Sequence, residues 1–116
     1  MSIVDKYKAG IPYKILGCWK DEHPDRAMQD LEGSSTVLDG PYKLRSNAIE
    51  KCYQLVKKLG FSVFALQDGG QCFGSDKTKK TFNKYGLSLD CLGDGKGGPM
   101  ANQVYAIKGN TLDTRL

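Results

Sequence analysis

The sequence predicts an α+β fold, one helix laid across a β-sheet and cross-linked to it, on three observations. From Gly60 to Gly74 the run GFSVFALQDGGQCFG is apolar on both parities, Phe61, Val63 and Ala65 against Phe64 and Leu66, as in a strand covered on both faces at a sheet's centre. Before it, Ala48, Cys52, Leu55, Val56 and Leu59 recur at helical spacing. The third observation is the spacing of the four cysteines, Cys18, Cys52, Cys72 and Cys91, which lie 34, 20 and 19 residues apart. That is too wide for the C-x-x-C pairs of a structural zinc site. Two disulfides are therefore expected, Cys52 with Cys72 joining the helix to the adjacent strand and Cys18 with Cys91 tying the first strand to a late segment. Four free buried thiols in a cytosolic protein are the alternative.

Residues 1–10 are polar and are expected to be flexible, as are residues 110–116, leaving one domain over residues 11–109. Ile11, Tyr13 and Ile15 alternate with Lys14 and Leu16 as a first strand, which ends in Gly17-Cys18-Trp19-Lys20-Asp21. The next twenty residues are rich in turn formers and lack periodicity. An irregular connection of that length is more often functional than filler. Asn47 is placed to cap the helix with Glu50 three residues on, Ser46 is the alternative cap, and Gly60 stops the helix. After the strand, Asp68-Gly69-Gly70 is a turn that returns the chain through Cys72. Ser75 to Lys80 is a polar loop, and Phe82 and Tyr85 are set to pin a short turn against the body. The glycine-rich run Leu92 to Pro99 follows, then a last strand from Asn102 to Lys108, Val104 and Ala106 alternating with Tyr105 and Ile107.

At 116 residues, with 26% charged residues and a net charge of +4, the chain is an ordinary single domain. Lys77, Lys79 and Lys80 cluster, but Asp76 sits among them and acidic residues are spread throughout, so the lysines read as a solvated loop and nucleic acid is not an expected partner. No stretch is apolar enough for membrane insertion, and the N-terminus lacks an export core. If the domain is extracellular, the chain is a mature or expressed piece whose Met1 was added. His23, the single histidine, is read as an exposed loop residue without a nucleophile to serve, so no enzyme is expected.

Taken in order, Gly17-Cys18-Trp19-Lys20-Asp21, Arg26-Ala27, the helix bearing Cys52, Gly60 to Ala65, Gly70-Gln71-Cys72-Phe73-Gly74 and Val104-Tyr105 resemble the WSC domain, an extracellular cysteine-rich module related in shape to the PAN/apple group. The resemblance spans about residues 12–108. Asp94 to Pro99 with Ala101 to Tyr105 looks like a variant of this module met in invertebrate secreted proteins. It implies a helix on a twisted antiparallel sheet, secretion and carbohydrate binding. The family usually has eight cysteines, with a C-x-C pair where Cys72-Phe73-Gly74 stands here. A protein-interaction or matrix module without sugar binding is the alternative, since PAN/apple-like domains also bind proteins.

Sugar recognition needs an aromatic face for the pyranose C–H side, with planar donors and acceptors for vicinal hydroxyls, on loops held by a rigid body. Trp19 is the expected face, unless it is core packing beside a cysteine. Asp21, Asp68 and Asp94 are the acceptors, with Gln67 and Asn102 as two-way partners. Lys96 lies in the same run, and Gly69, Gly70, Gly95, Gly97 and Gly98 would let backbone N–H groups approach a ligand. All are expected to converge at one end of the sheet on a glycan or glycoprotein. Arg26 is read as an internal ion-pair or capping residue. No metal or cofactor is expected; calcium on Asp68, Asp90 and Asp94 is the alternative.

Overall fold

The computed structural model describes residues 11–76 and 80–108. The readings of residues 1–10 and 110–116 as flexible, the domain's last residue Gly109, and Lys77 and Lys79 of the lysine loop lie outside the described residues. The described elements are β1 (Tyr13–Lys20), β2 (Gln29–Asp30), a 3-10 turn (Tyr42–Leu44), α1 (Ala48–Lys58), β3 (Val63–Gln67), β4 (Gln71–Ser75) and β5 (Ala101–Ile107). The strands form one antiparallel sheet in the order β1-β5-β3-β4-β2, with β3 at its centre. This is a small α+β fold, one helix on a five-stranded antiparallel sheet.

Both parities of β3 are buried because both faces of the sheet are covered. On one face α1 sets Cys52, Tyr53, Leu55 and Val56 against Phe64, Leu66, Cys72 and Tyr105. Against the other, Ala27, Met28, Trp19, Phe82 and Tyr85 close over Ala65, Phe73 and Val104. The turn bearing Phe82 and Tyr85 is pinned as expected: Phe82 meets the Trp19 ring edge to face at 5.5 Å, and the Tyr85 hydroxyl donates to the Asp25 carbonyl. The two cross-links are the pairs anticipated. Cys52–Cys72 bridges helix to hairpin, and Cys18–Cys91 ties β1 to the segment before the glycine loop.

Three details of the helix and first strand depart from expectation. Asn47 has φ 52° and makes no side-chain capping bond, because that backbone turns its amide away from the free N–H groups; Ser46 accepts from Lys51 Nζ at 3.3 Å instead. Leu59, at the C-cap, is 47% exposed, and Tyr53 takes the place in the core that the apolar stripe assigns to it. Ile11 and Ile15 are exposed: β1 is an edge strand, and an irregularity between Ile15 and Gly17 breaks its alternation, so Leu16 packs on the face opposite α1. The C-terminal stop is as expected. Gly60, at φ 80°, donates to Lys57 O while Phe61 N–H donates to Val56 O, a paired closure that needs a left-handed residue.

The connection between β1 and α1 contains β2, paired to β4, and the most deeply set cation among the described residues. Arg45 has no side-chain exposure and forks onto Glu32. At the opposite end of the sheet Tyr13 pairs with Ile107 and Lys108 N–H donates to Pro12 O at 2.7 Å, so the first and last strands meet side by side.

Candidate functional site

The loops expected to converge do so, at the end of the sheet where β1 and β3 finish and β5 begins. Asp68 N–H donates to Gly98 O at 3.2 Å and Gly69 N–H to Lys96 O at 3.1 Å, so the β3–β4 turn and the glycine loop are bonded backbone to backbone. Asp68 and Gly69 both have positive φ, as a primed hairpin turn requires.

Within this end the predicted residues divide. Asp21, 5% exposed, accepts from the backbone N–H of Glu22 and Ala27 and from Arg26 Nη1 and Gln67 Nε2, all at 2.8–2.9 Å. Its acceptor capacity is filled. Gln67 Nε2 also donates to Asn102 Oδ1 at 2.9 Å, and both residues are buried. Asp21, Gln67 and Asn102 thus work internally, stapling three strand ends together, where the sequence suggested ligand contacts. Arg26 is the internal ion-pair residue it was read to be. Trp19 is half-buried on the face away from α1, its indole N–H donating to Leu16 O at 3.1 Å, so it serves as packing beside Cys18 and does not join the glycine loop.

The glycines act differently from the expectation too. Gly70, Gly97 and Gly98 are buried, and they permit protein backbones to touch. A Cβ on Gly70 would stand 2.2 Å from Tyr42 O, one on Gly97 2.2 Å from Leu66 O, and one on Gly98 1.8 Å from Asp90 O. Gly69 and Gly95 are half-buried, and a Cβ on Gly95 would meet the Tyr105 hydroxyl at 2.8 Å. Gly97 also needs φ 75°. Gly97→Ala therefore combines overpacking with a left-handed backbone, and chemical denaturation is expected to show a loss of about 2–4 kcal/mol. Gly33→Ala, with open space around its Cβ, is expected to cost about 1–2 kcal/mol from the backbone alone.

Of the other predicted residues, Asp94 is exposed, and Asp68 and Lys96 are half-buried. Asp68 is paired with Lys43 at 3.3 Å and accepts from the Tyr42 hydroxyl at 3.4 Å. Asp94 and Lys96 line a cavity of about 330 Å³ with Tyr13, Asn47, Ala48, Ile49 and Glu50, between the glycine loop and the first turn of α1. The loop is fixed there by the Tyr105 hydroxyl, which donates to Gly95 O at 2.7 Å, and by Asp94 Oδ1, which accepts from Lys96 N–H at 2.9 Å. Burial first, then the neighbouring Tyr13 and Asp94, push the Tyr105 phenol up to about 12; burial and Glu50 raise that of Tyr13. Both phenols stay neutral near pH 7 and keep their donor hydrogens. Tyr13, Asn47 and Glu50 were not expected here. The last two read as a capping pair, and only the positive φ of Asn47 frees them. Among the described residues no group of three His, Cys, Asp or Glu side chains gathers to hold a metal ion.

No protein-family model matches the chain, and a search of curated proteins returns no match. Among the described residues no helix is long and apolar enough to cross a membrane.

Proposed function

We propose that this chain is an extracellular module of the WSC kind, related in shape to PAN/apple domains, that binds a glycan between the Asp94–Lys96 loop and the start of α1. One observation carries the reading: a single concavity gathers two carboxylates, an amide, an ammonium and a phenol, from Asp94, Glu50, Asn47, Lys96 and Tyr13. Its volume is near the lower end of the range for small-ligand pockets. Planar acceptors beside two-way partners suit vicinal hydroxyls, and the tyrosine ring supplies an apolar edge. The two disulfides support an oxidising compartment. No catalytic constellation is part of this reading, and the partner is a glycan or glycoprotein.

Asp94 is exposed and its carboxylate meets only its own loop, so Asp94→Ala is expected to lower glycan affinity about tenfold or more with the thermal midpoint nearly unchanged. Glycan-array binding and elution from immobilised sugar by free monosaccharide check this. Retention on no sugar would end the glycan reading, and undiminished binding by both Asp94→Ala and Glu50→Ala would move the site elsewhere. The rival, an extracellular protein-interaction or matrix module, is favoured by a different observation. Leu87, Leu89 and Leu92, flanking the Cys18–Cys91 bridge, are 66%, 99% and 62% exposed. Retention on a protein partner alone, abolished by Leu89→Ser, would support it.

A further inference from the structure

The two arginines among the described residues contrast in how many N–H groups they use. Arg45 uses all five: Nε donates to Asp39 O, Nη1 to Glu32 Oε2 and Gly70 O, and Nη2 to Glu32 Oε1 and Gly40 O, at 2.7–3.2 Å. Arg26 engages one nitrogen, Nη1, which meets Asp21 Oδ2 at 2.8 Å, Gln67 Oε1 at 3.4 Å and Met100 Sδ at 3.7 Å. Its Nε and Nη2 have no partner among the described residues. Yet the side chain is only 20% exposed and neither nitrogen is sealed from solvent. The guanidinium carbon lies 5.3 Å from the centre of the Phe73 ring, and Asp21 anchors its Nη1 end, so its plane is fixed on two sides.

Nε and Nη2 form the side edge of the guanidinium, whose two parallel N–H vectors match the two oxygens of a carboxylate. Arg26 lines a cavity of about 350 Å³ with Met28, Gln29, Phe61, Asp76 and Thr81, distinct in lining from the cleft at the start of α1. We propose that this cavity is a second binding site, in which the Nε–Nη2 edge of Arg26 holds the carboxylate of a small hydroxylated acid. A charge already balanced by Asp21 selects by fork geometry more than by bulk attraction. Gln29 and Thr81 offer partners to hydroxyls, and Met28 and Phe61 an apolar side. Joined to the glycan proposal, on which this last step alone rests, the carboxylate belongs to an acidic sugar.

The test uses the unaltered protein. In ¹⁵N-correlated spectra that resolve arginine Nε–Hε, titration with acetate, glucuronate, glucose or sodium chloride is followed at Arg26 and Arg45. The expected result is a saturable Arg26 shift with acetate, tighter with glucuronate, none with glucose or chloride, and a still Arg45 resonance. Arg26→Lys, which keeps the charge beside Asp21 but loses the fork, is expected to weaken glucuronate binding about tenfold or more. An Arg26 resonance that does not move, or that moves equally with chloride, overturns the proposal. A saturating acetate response upholds the carboxylate site even if no glycan binds, whereas array binding with a silent Arg26 overturns this site and leaves the glycan reading standing.

Discussion

Reducing both disulfides is expected to unfold the domain under conditions in which the oxidised protein is stable. The bridges close loops with sequence separations of 20 and 73 residues. In the chain-entropy account these are worth about 3 and about 4.5 kcal/mol, together comparable with the whole stability of a typical domain. Thermal denaturation with and without reductant, at matched pH, gives the readout. Mass measurement after alkylation should find no modified cysteine until reductant is added. Four alkylatable thiols in the native protein would remove the cross-links and the extracellular proposal together.

The second large effect is expected at Arg45. Its guanidinium has no exposure and grips Glu32, whose Oε2 also accepts the Cys72 backbone N–H at 2.8 Å, while carbonyls of Asp39, Gly40 and Gly70 converge on the same group. Fork hydrogen bonding to Glu32 raises the Arg45 pKa above its ordinary value, so the charge persists at any working pH. Arg45→Met fills similar space but leaves a partly buried carboxylate and three carbonyls without their donor. A loss of about 3–5 kcal/mol is expected in urea denaturation. In a double-mutant cycle, Glu32→Gln should cost much less in the Arg45→Met background than alone. A single-variant loss under about 1 kcal/mol would show that the pair is not what holds this connection to the sheet.

How much of this was legible depended on whether a residue's role follows from its neighbours in sequence. The central strand announced itself because burial on both faces leaves no polar position in Val63–Leu66. The bridge between Cys52 and Cys72 followed from placing Cys52 on the sheet-facing side of the helix and Cys72 on the next strand. Ile15 misled because alternation reports a face and not whether anything covers it, and β1 lies at the sheet's edge. The end of the sheet was harder. Asp21, Gln67 and Asn102 look in sequence like ligand partners scattered over three loops, and only the register that sets Gln67 opposite Asn102 turns them toward one another. The glycines carried the same ambiguity, since a residue that lets a ligand approach backbone equally lets another backbone approach. Arg45 gave little local signal: the carbonyls of Asp39 and Gly40 are near in sequence, but the Glu32 carboxylate and the Gly70 carbonyl lie 13 and 25 residues away along the chain.

The side-by-side pairing of the first and last strands has a mechanical consequence. Tension applied near residues 11 and 108 would open the β1–β5 ladder one rung at a time, the low-force mode, from Tyr13 and Ile107 inward. Once β5 has also left β3 and the glycine loop beyond Cys91 is drawn out, the covalent link between Cys18 and Cys91 takes over the load and short-circuits residues 19–90. The helix and the β3–β4 hairpin then sit in a loop that carries no force, while β5, with Asn102 of the Asp21 staple, lies beyond Cys91 in the loaded segment. A pulled molecule should lengthen by no more than residues 11–17 and 92–108 supply until the sulfur bridge is reduced.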